Sequence, residues 1–343
     1  MIPSPGDRYS RQLLFHEIGE AGQRLIGSSR MAVVGLGALG CQEAALLARA
    51  GVGFLRLIDR DFVEVTNLQR QILFTEEDAA LALPKAVAAA NHLAAANSEI
   101  EIRAEVRDLT ASTVERLLTG VDIIVDGSDN FEVRYLVNDF AVRAGLPWIY
   151  AAGVGATGLI LPVIPEITAC LRCLFEDPPP AGSAATCDTA GVFGPLTSTV
   201  GAVAAMEALK IAAGRREAVR RGLLQIDLWS NEFRAIAVDR PREECPCCGR
   251  RRFPFLEVRE AGATLELCGR EAVQISPPPG TTFDLDAVRP RIARAVEVDD
   301  NGFLLRFRAE GLQVTLFRDG RAILKGTTDP ARARGVYARL VGN

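Results

Sequence analysis

The chain has 343 residues, of which 48% are hydrophobic and 24% are charged, and its formal net charge is −4. This length exceeds one typical domain and fits a large domain followed by a small one. The composition is that of a globular enzyme with a sizeable core. The slightly acidic balance disfavours a nucleic-acid partner, which usually requires a basic surface.

The same survey disfavours secretion and membrane insertion. Residues 1–11 lack the apolar run of a signal peptide, and no apolar stretch reaches membrane-spanning length without a charge or a Gly or Pro break. We therefore expect a cytoplasmic protein with no membrane association. In a reducing compartment, its eight cysteines are expected to be metal ligands or catalytic thiols rather than disulfides.

The N-terminal part of the chain alternates between helix and strand. Between the first predicted strand and the next helix lies the run Gly35-Leu36-Gly37-Ala38-Leu39-Gly40, and the second strand ends at Asp59. A strand, a glycine turn, a helix and a strand open a doubly wound α/β fold. The predicted helices here are 8–26 and 41–50, and the predicted strands are 31–34 and 54–58.

The alternation continues beyond this unit. A strand punctuated by Gly and Pro at 157–164, and strands around Gln225 and Phe233, are predicted to extend the sheet in antiparallel fashion. Residues 1–250 are thus predicted to form a Rossmann-like doubly wound, mainly parallel sheet with an antiparallel extension. Both tryptophans, Trp148 and Trp229, are expected in the core. The further predicted helices are 85–96, 112–118, 130–144 and 197–213, and the further parallel strands are 100–106, 121–126 and 148–152.

A shift in composition at Arg250 indicates a second domain. Residues 251–343 are predicted to form a small C-terminal α+β domain. Its one cysteine, Cys268, does not lie in a sequence that resembles the catalytic loop of a sulfurtransferase. Strands are predicted near Leu265, Ala272, Leu304, Val314 and Ala322, and helices at 285–295 and 330–340.

The glycine run alone is weak support for any one nucleotide. Glycines at these spacings let a backbone approach a phosphate at a helix N-terminus, and Asp59 stands where a ribose-binding acid belongs. Alone, these features favour NAD or FAD. Arg70, Lys85 and Asp129 follow at predicted strand or helix ends, and such charges suit a site that must neutralise a triphosphate and hold Mg²⁺.

Several motifs in order resemble one family. Arg8-Tyr9-Ser10-Arg11-Gln12, the glycine run, Asn67-Leu68-Gln69-Arg70-Gln71, Pro84-Lys85 and Ser128-Asp129-Asn130 are similar to the ThiF/MoeB/HesA adenylyltransferases, the bacterial relatives of ubiquitin-activating enzymes. The resemblance covers residues 8–249.

The resemblance implies a role for each matching residue. Arg11 is expected to reach the phosphates of a neighbouring subunit, so the active unit would be a homodimer. Asp59 would hold the ribose, and Asp129 would bind Mg²⁺. Arg11, Arg70, Lys85, Asp129 and Cys187 are the candidate catalytic residues, and the candidate ATP-binding residues are Gly35, Gly37, Ala38, Leu39, Gly40, Asp59, Asn67, Arg70, Gln71, Lys85, Asp129 and Asn130.

Two close groups of cysteines indicate a zinc site. Cys170 and Cys173 form one C-x-x-C pair, and Cys245 and Cys248 form another. Four thiolates satisfy a tetrahedral structural zinc, and the family carries such a zinc. Spacing leaves Cys247 unused. Redox thiols are the alternative interpretation.

Cys187 follows a proline-rich stretch. In some members of the family a cysteine here forms a covalent link with the activated partner, and a thiol near a helix start can act as a nucleophile. An incidental cysteine is the competing interpretation.

By resemblance, the expected reaction is ATP-dependent adenylation of a C-terminal Gly-Gly carboxylate. The substrate would be a small ubiquitin-like or sulfur-carrier protein, pyrophosphate would be released, and acyl transfer to Cys187 could follow. The alternative is activation of a small molecule, a peptide or a tRNA by the same fold. A nicotinamide-dependent dehydrogenase would leave Arg70, Lys85 and Asp129 without roles, and a non-catalytic scaffold would leave the whole ATP set unused.

Overall fold

The computed structural model describes residues 8–180, 187–238, 240–257, 264–267, 271–277, 281 and 283–342, with backbone only at 187–188 and 264–267. Residue contacts divide the chain into two units, Met1–Val258 and Arg259–Asn343. The sequence prediction placed this division at residue 250. Within the first unit, the Phe255 ring packs against Tyr135 with centroids 5.0 Å apart.

The first unit is built on one eight-stranded sheet, with strand order β3-β2-β1-β4-β5-β6-β7-β8. The strands from β3 to β5 in that order are parallel, and β6, β7 and β8 each run antiparallel to the preceding strand. The strands are β1 Arg30–Val34, β2 Phe54–Ile58, β3 Glu101–Glu105, β4 Ile123–Asp126, β5 Trp148–Val154, β6 Thr157–Val163, β7 Leu223–Asp227 and β8 Glu232–Ile236.

Helices cover both faces of this sheet. Side chains alternate between faces along a strand, so Met31 and Val33 of β1 join one hydrophobic cluster and Ala32 and Val34 join the other. The helices of this unit are Ser10–Leu13, Gly19–Ser28, Ala38–Ala50, Glu76–Ala80, Lys85–Ala96, Val114–Leu118, Phe131–Ala144, Leu171–Leu174, Cys187–Ala190 and Gly194–Ala212, with 3₁₀ turns at Val65–Asn67, Arg216–Ala218 and Pro254–Leu256.

The strand order changes direction at β1. From β1 the chain builds β2 and β3 on one side and later β4 and β5 on the other. Ligands of open α/β sheets bind outside the carboxyl ends of the strands at such a switch point. Val34 pairs with both Ile58 and Asp126, which brings the segments after β1, β2 and β4 together.

The prediction of one continuous helix over 8–26 is wrong. The structure has two helices there, Ser10–Leu13 and Gly19–Ser28, separated by a turn. Gly19 adopts a positive φ of +54°, and its backbone N–H donates to the carbonyl of Phe15. Glycine tolerates this left-handed conformation, which ends one helical path before the next begins.

The second unit contains a six-stranded antiparallel sheet, with strand order β11-β12-β13-β14-β10-β9. One face of the sheet, carrying Val273, Phe307, Val314 and Leu324, contributes to a separate hydrophobic core. The elements are β9 Thr264–Leu267, β10 Ala272–Ile275, β11 Val298–Asp300, β12 Leu304–Ala309, β13 Leu312–Phe317, β14 Ala322–Lys325 and the helices Leu285–Ala293 and Pro330–Leu340. Together the two units confirm the predicted fold class.

None of the helices in the described ranges combines the length and hydrophobicity needed to cross a bilayer. Cys268 lies outside those ranges.

Candidate functional site

Two glycines of the run after β1 are packed so tightly that neither has room for a side chain. Gly35 has a φ of +83°, and a Cβ on it would lie 2.9 Å from the carbonyl oxygen of Gly127. A Cβ on Gly40 would lie 1.9 Å from the carbonyl oxygen of Gly35. This close approach leads directly into the helix Ala38–Ala50, whose N-terminus suits an anionic ligand. Gly37, Ala38 and Leu39 lie in the same turn.

Asp59 holds the glycine run in place. Its Oδ2 accepts a hydrogen bond from the backbone N–H of Leu36 at 2.6 Å, and its Oδ1 accepts one from the N–H of Asp61 at 2.7 Å. Burial raises the pKa of Asp59, against a lowering effect from Lys85. Each carboxylate oxygen has two acceptor positions, so this fixed carboxylate can also accept from ribose hydroxyls.

Lys85 opens the helix Lys85–Ala96 and is almost completely buried. Its Nζ lies 3.5 Å from Oδ2 of Asp61, and its backbone N–H donates to the carbonyl of Asp61 at 2.9 Å. These contacts place a buried ammonium beside Asp59. The side chain of Lys85 therefore lies at the carboxyl end of β2, as a phosphate-binding role requires.

Arg60 is a neighbour that sequence reasoning missed. Its Nη1 donates to Oδ2 of Asp108 at 2.9 Å, and its Nε lies 3.9 Å from Oδ1 of Asp61. Burial lowers the pKa of Arg60, but the charges of Asp108 and Asp61 raise it overall. Its position in the sequence could have identified it, because Arg60 and Asp61 directly follow Asp59 at the carboxyl end of β2.

The segment after β2 supplies three of the predicted phosphate-side residues. Asn67 is buried and its Oδ1 accepts from the N–H of Glu64 at 3.0 Å. The Nη1 of Arg70 donates to the carbonyl of Thr66 at 2.9 Å. Gln71 is also buried, and within the described part of the chain its Oε1 has no hydrogen-bond partner. Because buried polar atoms normally have one, a ligand or water donor fits here.

The turn after β4 presents an acid to solvent. Asp126 is fully buried, and its Oδ1 accepts from the N–H and the hydroxyl of Ser128 at 3.0 and 2.6 Å. That buried carboxylate orders the turn, whereas Asp129 is exposed and able to meet a cation. Asn130 caps the helix Phe131–Ala144, since its Oδ1 accepts from the N–H of Glu132 at 2.8 Å.

Arg11 is not brought to this chain's own glycine run. Its neighbours Tyr9 and Gln12 contact the far end of the helix Ala38–Ala50. The Tyr9 ring packs at Gly51, and Nε2 of Gln12 donates to the carbonyl of Ala50 at 3.0 Å. That helix has 13 residues and is thus about 20 Å long, which exceeds the reach of an arginine.

Four cysteine sulfurs converge at one point in the fold. The Sγ atoms of Cys170, Cys173, Cys245 and Cys248 all lie within 4.8 Å of one another. The Cys170–Cys173, Cys170–Cys245 and Cys173–Cys248 separations are 3.9, 3.6 and 3.3 Å. A tetrahedral zinc with Zn–S bonds of about 2.3 Å implies separations of about 3.8 Å. The donor set therefore fits zinc.

The fifth cysteine has a different partner. Cys247 is fully buried, and its sulfur accepts a hydrogen bond from Nδ2 of Asn138 at 3.2 Å. The Oδ1 of Asn138 accepts from the N–H of Leu171 at 2.9 Å. Asn138 thus connects the segment after Cys170 to Cys247, and it does so from the helix Phe131–Ala144.

Two further predictions concern single residues. Cys187 begins the short helix Cys187–Ala190, but its side chain lies outside what the structure describes, so its reactivity stays a prediction. Trp148 is fully buried as expected. The prediction for Trp229 is wrong: it is 85% exposed, in the turn between β7 and β8. Its backbone N–H and that of Ser230 donate to Oδ1 of Asp227, which fixes the turn and leaves the indole outside.

The comparisons with known proteins agree with this geometry. The model of the ThiF family matches residues 9–247. The chain is 42% identical to the sulfur carrier protein ThiS adenylyltransferase of Bacillus subtilis (strain 168), over 98% of this chain and 99% of the relative. It is 40% identical to the sulfur carrier protein adenylyltransferase of Thermus thermophilus, over 71% of this chain and 90% of the relative. A crystal structure of E. coli MccB with ATP is similar with a TM-score of 0.63 and 25% identity, covering 72% of this chain and 77% of that chain.

Proposed function

The chain belongs to the ThiF family, and from this premise we propose that it uses ATP to adenylate the C-terminal carboxylate of a ubiquitin-like sulfur-carrier protein ending in Gly-Gly. The resemblance predicted from the motifs is confirmed, and the named relatives are adenylyltransferases. The observation that carries the proposal is the near-complete match to the Bacillus relative, whose name gives a sulfur carrier protein as its substrate.

The proposed ATP site follows the carboxyl edge of the sheet. The turn of Gly35, Gly37, Ala38, Leu39 and Gly40 would receive the phosphates, and Asp59 would accept hydrogen bonds from the ribose. Asn67, Arg70, Gln71 and Lys85 would contact the phosphates, and Asp129 with the adjacent Asn130 would face them from β4. Support comes from the excluded Cβ positions, the fixed Asp59 carboxylate and the Oε1 of Gln71, which has no hydrogen-bond partner among the residues that the structure describes.

The reaction needs no nucleophile from the enzyme in its first step. An oxygen of the carrier's carboxylate attacks the α-phosphorus of ATP, the bond from that phosphorus to the bridging oxygen breaks, and pyrophosphate leaves. A Mg²⁺ ion at Asp129 would neutralise charge on the phosphates. Lys85 and Arg70 would hold the phosphates in line and stabilise the negative charge that develops during transfer.

We propose a homodimer in which Arg11 completes the neighbouring subunit's site. The position of Arg11 supports this, because the length of one helix separates it from the glycine run of its own chain. A second copy would bring the exposed guanidinium to a triphosphate without rearrangement of the fold.

A protein substrate is supported by the last strand of the antiparallel extension, which has no strand partner on its outer side among the described residues. All five residues of β8 are exposed, and Phe233 on it is 58% exposed. Trp229 stands at the end of the same hairpin. An edge strand offers unpaired backbone groups, and exposed aromatic residues are common anchors of protein interfaces. We propose that the carrier docks here, with its C-terminus directed to the ATP site.

The four-cysteine cluster is proposed to hold a structural zinc. All four ligand positions are filled by thiolates, so the metal would have no open position and no role in the chemistry. It would link Cys170 and Cys173 to Cys245 and Cys248, which are 75 residues further along the chain. The cytoplasmic location expected from the sequence stays a prediction.

Pyrophosphate–ATP exchange tests the proposal. We expect exchange that depends on a small protein ending in Gly-Gly and that is lost when its C-terminal glycine is removed. Cys187→Ala should retain exchange, because adenylation precedes any transfer to a thiol. Exchange with a short peptide or a small carboxylic acid, but with no such protein, would favour the alternative substrate class. An absence of exchange with every carboxylate would reject the proposed activity.

A further inference from the structure

Lys85 starts in a pairing with Asp61, and an incoming phosphate would compete with that carboxylate for the ammonium. Lys85 is 6% exposed, and its Nζ lies 3.5 Å from Oδ2 of Asp61. A buried cation requires a counter-charge, and Asp61 provides one before ATP arrives. The same carboxylate would repel an incoming triphosphate. Release of Lys85 from Asp61 therefore creates a second requirement, which is compensation of the charge left on Asp61.

Arg60 is placed to meet that requirement. The two oxygens of Asp61 face different cations: Oδ2 faces Lys85, and Oδ1 lies 3.9 Å from Nε of Arg60. Both separations exceed the 2.7–2.9 Å of a tight charge-assisted hydrogen bond, and Asp61 thus faces one cation with each of its oxygens. The other arm of Arg60 is fixed, because its Nη1 donates to Asp108 at 2.9 Å.

We propose that Arg60 is a positioning residue that takes over Asp61 when Lys85 moves to the phosphates of ATP. Asp108 anchors Arg60 from the segment after β3, so the guanidinium stays beside Asp61 whether or not nucleotide is bound. The inference rests on the proposed ATP site, and it assigns a role to Arg60, Asp61 and Asp108. Arg60 itself touches neither the reacting phosphorus nor the carboxylate.

Removal of the Arg60 charge should weaken ATP binding. Arg60→Gln removes the cation that faces Oδ1 of Asp61, and we expect the dissociation constant for ATP to rise about tenfold. The substitution should weaken the binding of ATP in the ground state and in the transition state equally, so KM for ATP should rise while kcat changes little. Arg60→Lys keeps the charge and should restore most of the affinity.

The double variant separates this role from a merely structural one. In Arg60→Gln/Asp61→Asn the carboxylate that needs compensation is gone, and we expect ATP affinity to return to within about threefold of the wild type. Asp61→Asn alone should bind ATP at least as tightly as the wild type. A structural role would instead make the double variant bind no better than Arg60→Gln.

Calorimetric titration of the full chain with ATP and Mg²⁺, without carrier, measures these constants. The matched control is Arg143→Gln, which removes an exposed arginine paired with Glu115 at the opposite end of the helix Phe131–Ala144, about 20 Å from Asn130. Wild-type affinity in Arg60→Gln, or no recovery in the double variant, would overturn the inference. A wild-type chain that binds no ATP would instead overturn the proposed function itself. If Arg60→Gln fails to fold, Asp108→Asn tests the same point, and unchanged ATP affinity there would overturn the inference.

Discussion

Asp59 and Leu36 join the end of β2 to the glycine run after β1 through a single hydrogen bond of 2.6 Å. The acid that is proposed to hold the ribose is therefore also the acceptor that shapes the phosphate-binding turn. A change at Asp59 acts on both parts of the nucleotide site. Two residues 23 positions apart in sequence thus behave as one element of the site.

We expect Asp59→Asn to weaken ATP binding by about tenfold or more, because an amide accepts with one oxygen where the carboxylate accepts with two. Calorimetry with ATP measures the change. Asp122→Asn is the matched control, since Oδ2 of Asp122 also accepts a backbone N–H, that of Arg30 at 2.8 Å, but at the amino end of the sheet. Equal losses in the two variants would argue against a nucleotide role for Asp59.

Asp129 and Asn130 are adjacent, but their alanine variants should lose different properties, activity in the first case and stability in the second. Asp129 is exposed, so Asp129→Ala should leave the melting temperature unchanged while pyrophosphate exchange falls about a hundredfold. Asn130→Ala removes the helix cap and should lower the unfolding free energy by about 1 kcal/mol. Thermal unfolding and exchange measured on both variants test this. Full exchange in Asp129→Ala would remove the magnesium assignment.

Zinc content should distinguish four cysteines from the fifth. We expect Cys173→Ser and Cys248→Ser to hold well under one zinc per chain and to lose about 3 kcal/mol or more of unfolding free energy. Cys247→Ser should keep the metal, because Cys247 is not one of the four clustered thiols and its sulfur accepts a hydrogen bond from Asn138. Elemental analysis and urea unfolding measure both effects. Loss of zinc in Cys247→Ser alone would show that the wrong four thiols were assigned.

Glu43 should make stability depend on pH. It is fully buried in the helix Ala38–Ala50, and within the described residues neither carboxylate oxygen has a hydrogen-bond partner. Burial raises the pKa of Glu43 well above its ordinary value of 4.5, and Asp126 raises it further. The folded chain keeps a proton there that the unfolded chain releases above pH 4.5, so stability falls as pH rises from 4.5 towards the raised pKa.

Glu43→Gln should abolish this dependence. The unfolding free energy of the variant minus that of the wild type should grow by about 1.4 kcal/mol per pH unit within that window. Urea unfolding from about pH 5 to pH 8 measures the slope. Glu101→Gln, at an exposed position of β3, serves as the matched control for the loss of a carboxylate at the surface. A constant difference for Glu43→Gln would mean that Glu43 is ionised in the folded chain.

Trp229 should matter for the carrier and not for ATP. We expect Trp229→Ala to raise KM for the carrier protein about thirtyfold, since truncation of an aromatic anchor commonly costs about 2 kcal/mol. ATP affinity should stay at the wild-type value. Ile167→Ala, which truncates another exposed hydrophobic residue, should change neither. An unchanged KM in Trp229→Ala would move the docking surface away from the β7–β8 hairpin.

Local patterns carried most of the fold prediction. The glycine run, the apolar strands and the acids that end β2 and β4 each reflect a constraint that acts over a few residues. Gly35 and Gly40 had to be glycines because backbone atoms occupy the space of a side chain. Such constraints appear directly in the sequence, and the structure has the candidate residues Asp59, Lys85 and Asp129 at the carboxyl edge of the sheet.

Pairings between distant segments were not visible in the same way. Arg60 donates a hydrogen bond to Asp108, which lies 48 residues away in the sequence. No local sequence pattern indicates which acid an arginine will contact. The prediction that Trp229 lies in the core was wrong for a related reason. Composition assigns tryptophan to the core, but Asp227 ties the turn so that the indole faces water.

Gly127 touches Gly40 and the carbonyl of Gly35 through main-chain atoms alone, and a methyl group there would lie 2.5 Å from the Cα of Gly40. The turn that leads to Asp129 and the turn proposed to receive the phosphates therefore share one wall. A side chain at any one of these three glycines would require the backbone at the others to move. We therefore expect the binding of metal and nucleotide to be coupled by direct contact of the two turns rather than through a relay of side chains.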